Sequence, residues 1–154
     1  MTSEKKNVEP LLFSAVVPLK PEAAFELFTT RMGRWWPLID YSVSKVNAET
    51  CIVETFAGGR VFERSGTGEE FEWGRVLVME KPHRLVMTWH PGGGPVTEVH
   101  VTFIASGTGT LVTLEHRKWE VFGEMAVEAR EGYANGWPYV FAKRFVEAAQ
   151  AENR

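Results

Sequence analysis

Between about residue 43 and residue 116, apolar and polar side chains alternate with a period of two, the repeat of a strand with one buried face. Turn-forming residues interrupt the run at Ala57-Gly58-Gly59, at Lys81-Pro82-His83, among the glycines of 91–95 and at Ser106-Gly107-Thr108-Gly109. The pattern predicts strands over 51–56, 60–64, 72–80, 84–90, 97–105 and 109–116, and a further strand at 11–17. Alternation assigns faces: Val99, Val101 and Phe103 oppose Glu98, His100 and Thr102, and Leu85, Met87 and Trp89 oppose Val86, Thr88 and His90. The first set of each pair is the expected inner face. In 72–80, Trp73, Leu77 and Met79 share a face with Arg75, so alternation leaves that strand's facing open.

Two segments depart from the period of two. Pro21 suits the first turn of a helix, and Ala24, Phe25, Leu27 and Phe28 give that helix an apolar side ending by Thr30. Residues 33–37 permit at most a short second helix, because Pro37 restricts Trp36 to extended geometry. Over 124–150 the helical repeat returns, with Met125, Ala129, Tyr133, Trp137, Phe141 and Phe145 in i, i+4 steps. Pro138 lacks an N–H and would clash with the carbonyl of Ala134, which predicts a kink or break near Gly136. The order is that of an α+β domain: a curved antiparallel sheet of six to seven strands wrapped around a long C-terminal helix, with two short helices after the first strand. Residues 1–9 read as a flexible tail and 10–150 as one domain.

Aromatic side chains concentrate where sheet and helix would meet. Trp73, Trp89, Trp119 and Trp137 are joined there by Phe56, Phe62, Tyr133 and Phe141, with Trp35 and Trp36 completing the set. Such a set either fills a core or walls a chamber, and a twisted sheet gripping a long helix leaves a natural cavity between them. Glu63, Arg75, Glu115 and His116 are the candidate polar handles. One facing of their strands directs Glu63 and His116 inward, where the pair could exchange protons with a substrate. The other leaves them at strand ends in water or in a structural ion pair.

Composition narrows the function classes. At 154 residues the chain suits one core that buries roughly two thirds of the unfolded surface. Seventeen basic and twenty acidic residues leave a net charge of −3 with no basic cluster, so nucleic acid is not an expected partner. The single Cys51 allows no internal disulfide, and the polar start at residues 1–10 carries no export signal, which together point to the cytoplasm. No apolar run approaches the ~20 residues of a membrane span. His83, His90, His100 and His116 show no ligand spacing and Asp40 is the sole aspartate, so neither a metal nor another cofactor is expected. Gly92-Gly93-Gly94 joins two strands without a following helix, unlike a phosphate cradle.

Several short motifs, in this order, resemble a known family: Trp35-Trp36-Pro37, the run Gly58-Gly59-Arg60-Val61-Phe62-Glu63, Trp73-Gly74-Arg75-Val76, Pro82-His83-Arg84-Leu85 with Trp89, Leu114-Glu115-His116 with Trp119, and Gly136-Trp137-Pro138. Over residues 11–149 the chain looks like a member of the START-like helix-grip superfamily, also called SRPBCC, in its branch similar to the activator of heat-shock-protein-90 ATPase. The resemblance implies a helix-grip fold with a deep hydrophobic cavity, and relatives that bind lipids, sterols, polyketides or other apolar molecules. The branch's namesake co-chaperone carries a separate N-terminal domain that this chain does not have, so a chaperone partner is not expected. Three functions follow: binding of an apolar or amphipathic small molecule; a cyclase, hydrolase or isomerase acting on an aromatic or polyketide-like substrate through Glu63 and His116; or a chaperone-associated interaction module that touches a chaperone or another protein through its outer sheet face. Pairing of edge strands into a homodimer stays open.

Overall fold

A computed structural model describes residues 8–153. Seven strands form one antiparallel sheet in the order β1-β7-β6-β5-β4-β3-β2. They are β1 (Leu11–Val17), β2 (Ala48–Val53), β3 (Arg60–Ser65), β4 (Glu70–Glu80), β5 (Arg84–Trp89), β6 (Thr97–Ser106) and β7 (Gly109–Arg117). Helix α1 (Pro21–Phe28) and a 3₁₀ turn (Met32–Arg34) follow β1, and a second 3₁₀ turn (Lys45–Asn47) leads into β2. After β7 come a 3₁₀ segment (Trp119–Met125), α2 (Ala126–Trp137), a π-helical stretch (Pro138–Phe145) and α3 (Val146–Glu152), the last three forming one C-terminal helix.

The sheet curls into a half-barrel around that helix. Register shifts interrupt the β2–β3, β3–β4 and β4–β5 pairings, and each extra residue bends its strand and sharpens the twist. Gly74 permits the tightest approach: a Cβ there would stand 1.8 Å from the Thr88 carbonyl oxygen of β5. The shift opposite Val61 and Phe62, which pair with Gly74 and Glu72, settles the facing of β4. Trp73 and Val76 point into the core while Arg75 and Leu77 are exposed, because the extra residue, Trp73, breaks the strict alternation on which a sequence reading depends.

On the inner face, Leu85, Met87, Trp89, Val99, Val101, Phe103, Val112 and Leu114 are buried, as alternation predicts. Against them pack Phe25 and Phe28 of α1 and Phe141 and Phe145 of the C-terminal helix. Rings lock this end of the core, with Phe28 at 5.3 Å from Phe145, Trp35 at 5.1 Å from Phe145, and Phe25 at 5.1 Å from Phe103. Such pairs add to the area term an edge-to-face attraction of about 0.5–1.5 kcal/mol each.

The C-terminal helix does not break near Gly136. Trp137 and Pro138 keep helical dihedrals, and the chain absorbs the proline by widening into a π-helical stretch from Pro138 onward. A π turn shifts hydrogen bonding by one residue, so the missing proline donor is accommodated while the chain stays helical. Of the tail expected over 1–9, residues 1–7 lie outside the described residues; Val8 packs against the core, and the Glu9 carbonyl accepts a 2.6 Å hydrogen bond from Arg130 Nε. Among the described residues no helix is long and apolar enough to cross a membrane.

Candidate functional site

A hollow of about 290 Å³ opens between the end of β5, residues 36–41 and the first turns of α2. Trp36, Tyr41, Trp89, Tyr133 and Trp137 supply aromatic walls, and Ala129, Gly132, Gly136 and Val140 supply the floor, with Glu128 at the edge. The floor arises from helix geometry. Residues 129, 133 and 137 form one i, i+4 column and 132, 136 and 140 the next, so both columns face the sheet. Two positions in the second column are glycine, and the space where side chains would stand belongs to the hollow. A Cβ at Gly136 would approach the Tyr41 ring to 3.1 Å, whereas one at Gly132 meets nothing within 4 Å. A second recess of about 180 Å³ shares Trp36, Tyr41, Trp89 and Tyr133 and adds Asp40, Ser42, Lys45 and Pro91.

The walls pack on one another. Trp36 lies 5.0 Å from Trp73, 5.7 Å from Trp89 and 5.9 Å from Trp137, and Trp89 lies 5.7 Å from Trp137. The indole N–H of Trp36 donates to the Tyr41 carbonyl at 2.7 Å, which holds the loop bearing Tyr41 over the opening, and the Tyr41 ring stacks on Tyr139.

Glu63 anchors that loop from inside the sheet. It is fully buried; one carboxylate oxygen accepts Val43 N–H and the Trp73 indole N–H, both at 2.6 Å, and the other accepts Ser44 N–H at 2.9 Å and the Ser44 hydroxyl at 2.5 Å. Burial alone would raise its pKa, but the donors from Ser44, Val43 and Trp73 together outweigh it and hold the carboxyl below the usual 4.5.

His116 is equally buried and equally committed. Trp137 Nε1–H can only donate, so Nδ1 of His116, 3.0 Å away, is unprotonated. The Thr97 hydroxyl gives its proton to the Trp89 carbonyl at 2.8 Å, so His116 Nε2–H donates to Thr97 Oγ1 at 2.7 Å. The network thus fixes a neutral ring with its proton on Nε2, and burial presses its pKa down to about 3. Trp119 and Tyr133 cover its faces at 4.2 and 4.7 Å, and Trp119 Nε1 donates to the His116 carbonyl.

Of the residues singled out from sequence, Trp36, Trp89, Tyr133 and Trp137 meet around the hollow. Glu63, Trp73, His116 and Trp119 stand behind its walls, and Glu63 and His116 belong to networks that share no partner. Trp35 and Phe141 join the packed end of the core near Phe145. Phe56 is 59% exposed in the β2–β3 connection, and Arg75 is exposed beside Glu72. Phe62 alternates with inward Val61 and Glu63, so it lies on the outer face, where the Arg60 guanidinium covers its ring at 3.9 Å. Sequence reasoning missed Tyr41, Ala129, Gly132, Gly136 and Val140. The i, i+4 pair Gly132 and Gly136 in the column beside the bulky stripe was the available signal, whereas Tyr41 sits in a loop with no periodicity. Burial pushes the Cys51 thiol up, with a smaller contribution from Glu63, away from nucleophilic reactivity. Among the described residues, no three His, Cys, Asp or Glu side chains come together as metal ligands.

Solved structures share this architecture. The self-sacrificing resistance protein CalC from Micromonospora echinospora superposes with a TM-score of 0.70 at 26% identity, covering 95% of this chain and 97% of CalC. Txn09, an anthrahydroquino-gamma-pyrone synthase, gives 0.60 at 31% identity over 91% of this chain and 96% of its own. A protein from Mesorhizobium loti gives 0.66 at 18% identity over 95% and 99%, a likeness of fold alone. No curated protein sequence matches the chain. Residues 18–150 match the family described as Activator of Hsp90 ATPase homolog 1-like protein, and the seven-stranded half-barrel closed on its C-terminal helix is the helix-grip architecture: the chain belongs to that family.

Proposed function

We propose that the chain binds a flat apolar or amphipathic small molecule in the hollow between β5 and α2. The observation that carries the reading is the aromatic enclosure above a glycine floor: Trp36, Tyr41, Trp89, Tyr133 and Trp137 around about 290 Å³, near the lower end of the roughly 300–1,000 Å³ of small-molecule sites. At ~25 cal/mol per Å² of apolar surface removed from water, a guest hiding a few hundred Å² gains several kcal/mol without polar contacts. The adjoining recess with Asp40 and Lys45 gives an amphipathic guest room for its polar end. A cytoplasmic location belongs to the same proposal and suits the lone buried thiol.

The test fills the hollow from the helix side. Gly132→Phe places a ring where a Cβ meets no neighbour and replaces a poor helix former, so the fold should persist. Wild-type protein should enhance the fluorescence of anilinonaphthalenesulfonate, and Gly132→Phe and Ala129→Phe should each weaken that binding about tenfold or more, roughly 1.4 kcal/mol. Unchanged affinity in both variants would remove the hollow as the binding place.

A second reading, turnover of a polyketide-like substrate, is favoured by the likeness to a synthase at 31% identity. Proton exchange between Glu63 and His116 would require both to reach one substrate atom, yet their polar atoms are already hydrogen-bonded within the fold. Turnover would instead draw on the shape of the hollow and on Tyr133 or the groups of the adjoining recess. Conversion of a linear aromatic polyketide by the wild type, and its loss in Gly132→Phe, would establish it. Pairing of two copies along an edge strand is a separate proposal, read by sedimentation.

A further inference from the structure

Lys81, Lys118 and Lys143 each lie against a glutamate, whereas Lys45 donates from Nζ to a backbone carbonyl, that of Asp40, at 2.9 Å. Among the described residues no carboxylate stands within ion-pair distance of this ammonium. An ammonium carries three protons, so two are left uncommitted. Lys45 lines the recess that shares Trp36, Tyr41, Trp89 and Tyr133 with the hollow, and its cation therefore stands beside the space that an apolar guest would fill.

The backbone holds the ammonium there against its own preference. Lys45 has a φ of 52°, and only Lys118 joins it among the described non-glycine residues in the left-handed region. A side chain is disfavoured in that region, and the conformation persists only where surrounding contacts impose it. Those contacts are present: Lys45 N–H donates to Ser42 Oγ at 2.9 Å, the Ser42 hydroxyl donates to the Leu38 carbonyl at 2.6 Å, and the preceding Ser44 is held by Glu63. The turn thus brings the lysine back over its own loop, onto Asp40. Asp40 on the recess and Glu128 on the hollow are the carboxylates that border these spaces, and both are exposed. Neither carboxylate accepts a hydrogen bond among the described residues, so both stay hydrated and unfixed, and such charges add little to binding.

We propose that Lys45 Nζ receives the anionic end of an amphipathic guest whose flat apolar body fills the hollow, which makes the preferred ligand an aromatic acid. The proposal rests on the hollow being the binding place. Aromatic walls supply affinity by area and take an acid and an alcohol of one frame alike, while the fixed ammonium supplies the preference between them.

Anthracene carboxylate, anthracene methanol and anthracenylmethyl-trimethylammonium share one flat frame and differ in the charge at its end. Calorimetric titration of the wild type should show the carboxylate binding roughly fivefold more tightly than the alcohol, and the ammonium no more tightly than the alcohol. Rising ionic strength should shrink the acid-to-alcohol ratio. That ratio should collapse in Lys45→Met and persist in Lys45→Arg. Because it compares two guests on one protein, a loosened loop lowers both affinities and leaves the ratio readable. If Lys45→Met binds neither guest, Lys45→Arg decides: a retained preference for the acid supports the anchor, and its loss overturns it. Equal affinity for acid and alcohol in the wild type, tightest binding of the ammonium, or an unchanged ratio in Lys45→Met overturns the anchor and leaves the hollow standing. Binding of none of the three, or affinities that Gly132→Phe leaves unmoved, overturns the hollow and the anchor with it.

Discussion

His116 shows how far a single buried side chain can be read. Its ring is locked neutral by a donor on one nitrogen and an acceptor on the other, with a folded pKa near 3 against an ordinary 6.5. Between those values the unfolded chain holds a proton that the folded chain refuses. Stability from this residue is therefore whole above pH 6.5 and declines as the pH falls toward 3, by about 1.4 kcal/mol per pH unit at full slope. Gln in its place can accept from Trp137 and donate to Thr97 without titrating. Chemical denaturation between pH 6.5 and 4.5 should show the wild type losing stability on acidification and His116→Gln losing less; parallel curves would mean that His116 is charged in the fold or exposed to water. Alternation with Val61, and with Val112 and Leu114, offered an inward facing for Glu63 and His116 but left the outward one open, and the fold decides for the inward. Their hydrogen-bond partners were not legible, because Ser44, Val43 and Thr97 reach them through tertiary contacts that no local repeat encodes.

Glu63 matters at the scale of an element, because four donors from the 43–44 loop and from β4 converge on it and fix the segment that carries Tyr41. In Glu63→Gln, one oxygen becomes an amide nitrogen facing groups that themselves donate, and at least one loop N–H loses its acceptor inside the protein. The variant should be less stable by roughly 3 kcal/mol, and exchange of the Val43 and Ser44 amide protons should quicken more than that of the sheet. Uniform quickening across the sheet would show that Glu63 supports the core and not the loop. The acid limb has the same sign as that of His116 but a lower window: this carboxyl is held below 4.5, so its contribution is present above 4.5 and lost as the pH falls through the depressed value. Strands and long helix were legible at this scale because their periods are local. The facing of β4 was not, since a one-residue bulge at Trp73, opposite Val61 and Phe62, inverts the pattern, and the π-helical passage of Pro138 replaces a break that local rules predict.

At the scale of the molecule, the hollow is assembled from parts of the chain that meet only in the fold: Trp36 and Tyr41 from the segment after α1, Trp89 from β5, and Tyr133, Gly136 and Trp137 from the C-terminal helix. A guest touching all of them acts as a non-covalent clasp between sheet and helix, and it binds the folded state alone, since the unfolded chain has no such enclosure. At a free concentration one hundred times Kd, such a guest adds ~2.7 kcal/mol to the unfolding free energy. For a domain of this size that corresponds to a rise in melting temperature of roughly 5–10 °C. The rise should be accompanied by slower amide exchange in residues 36–41, in β5 and in α2 together, because each segment must release the guest before it opens. A probe adhering to one outer surface would protect a single segment and leave the others unchanged. Gly132→Phe should retain the wild-type melting temperature without probe and show little rise with it; equal rises in both proteins, or protection confined to α2, would place the probe somewhere other than the seam between sheet and helix.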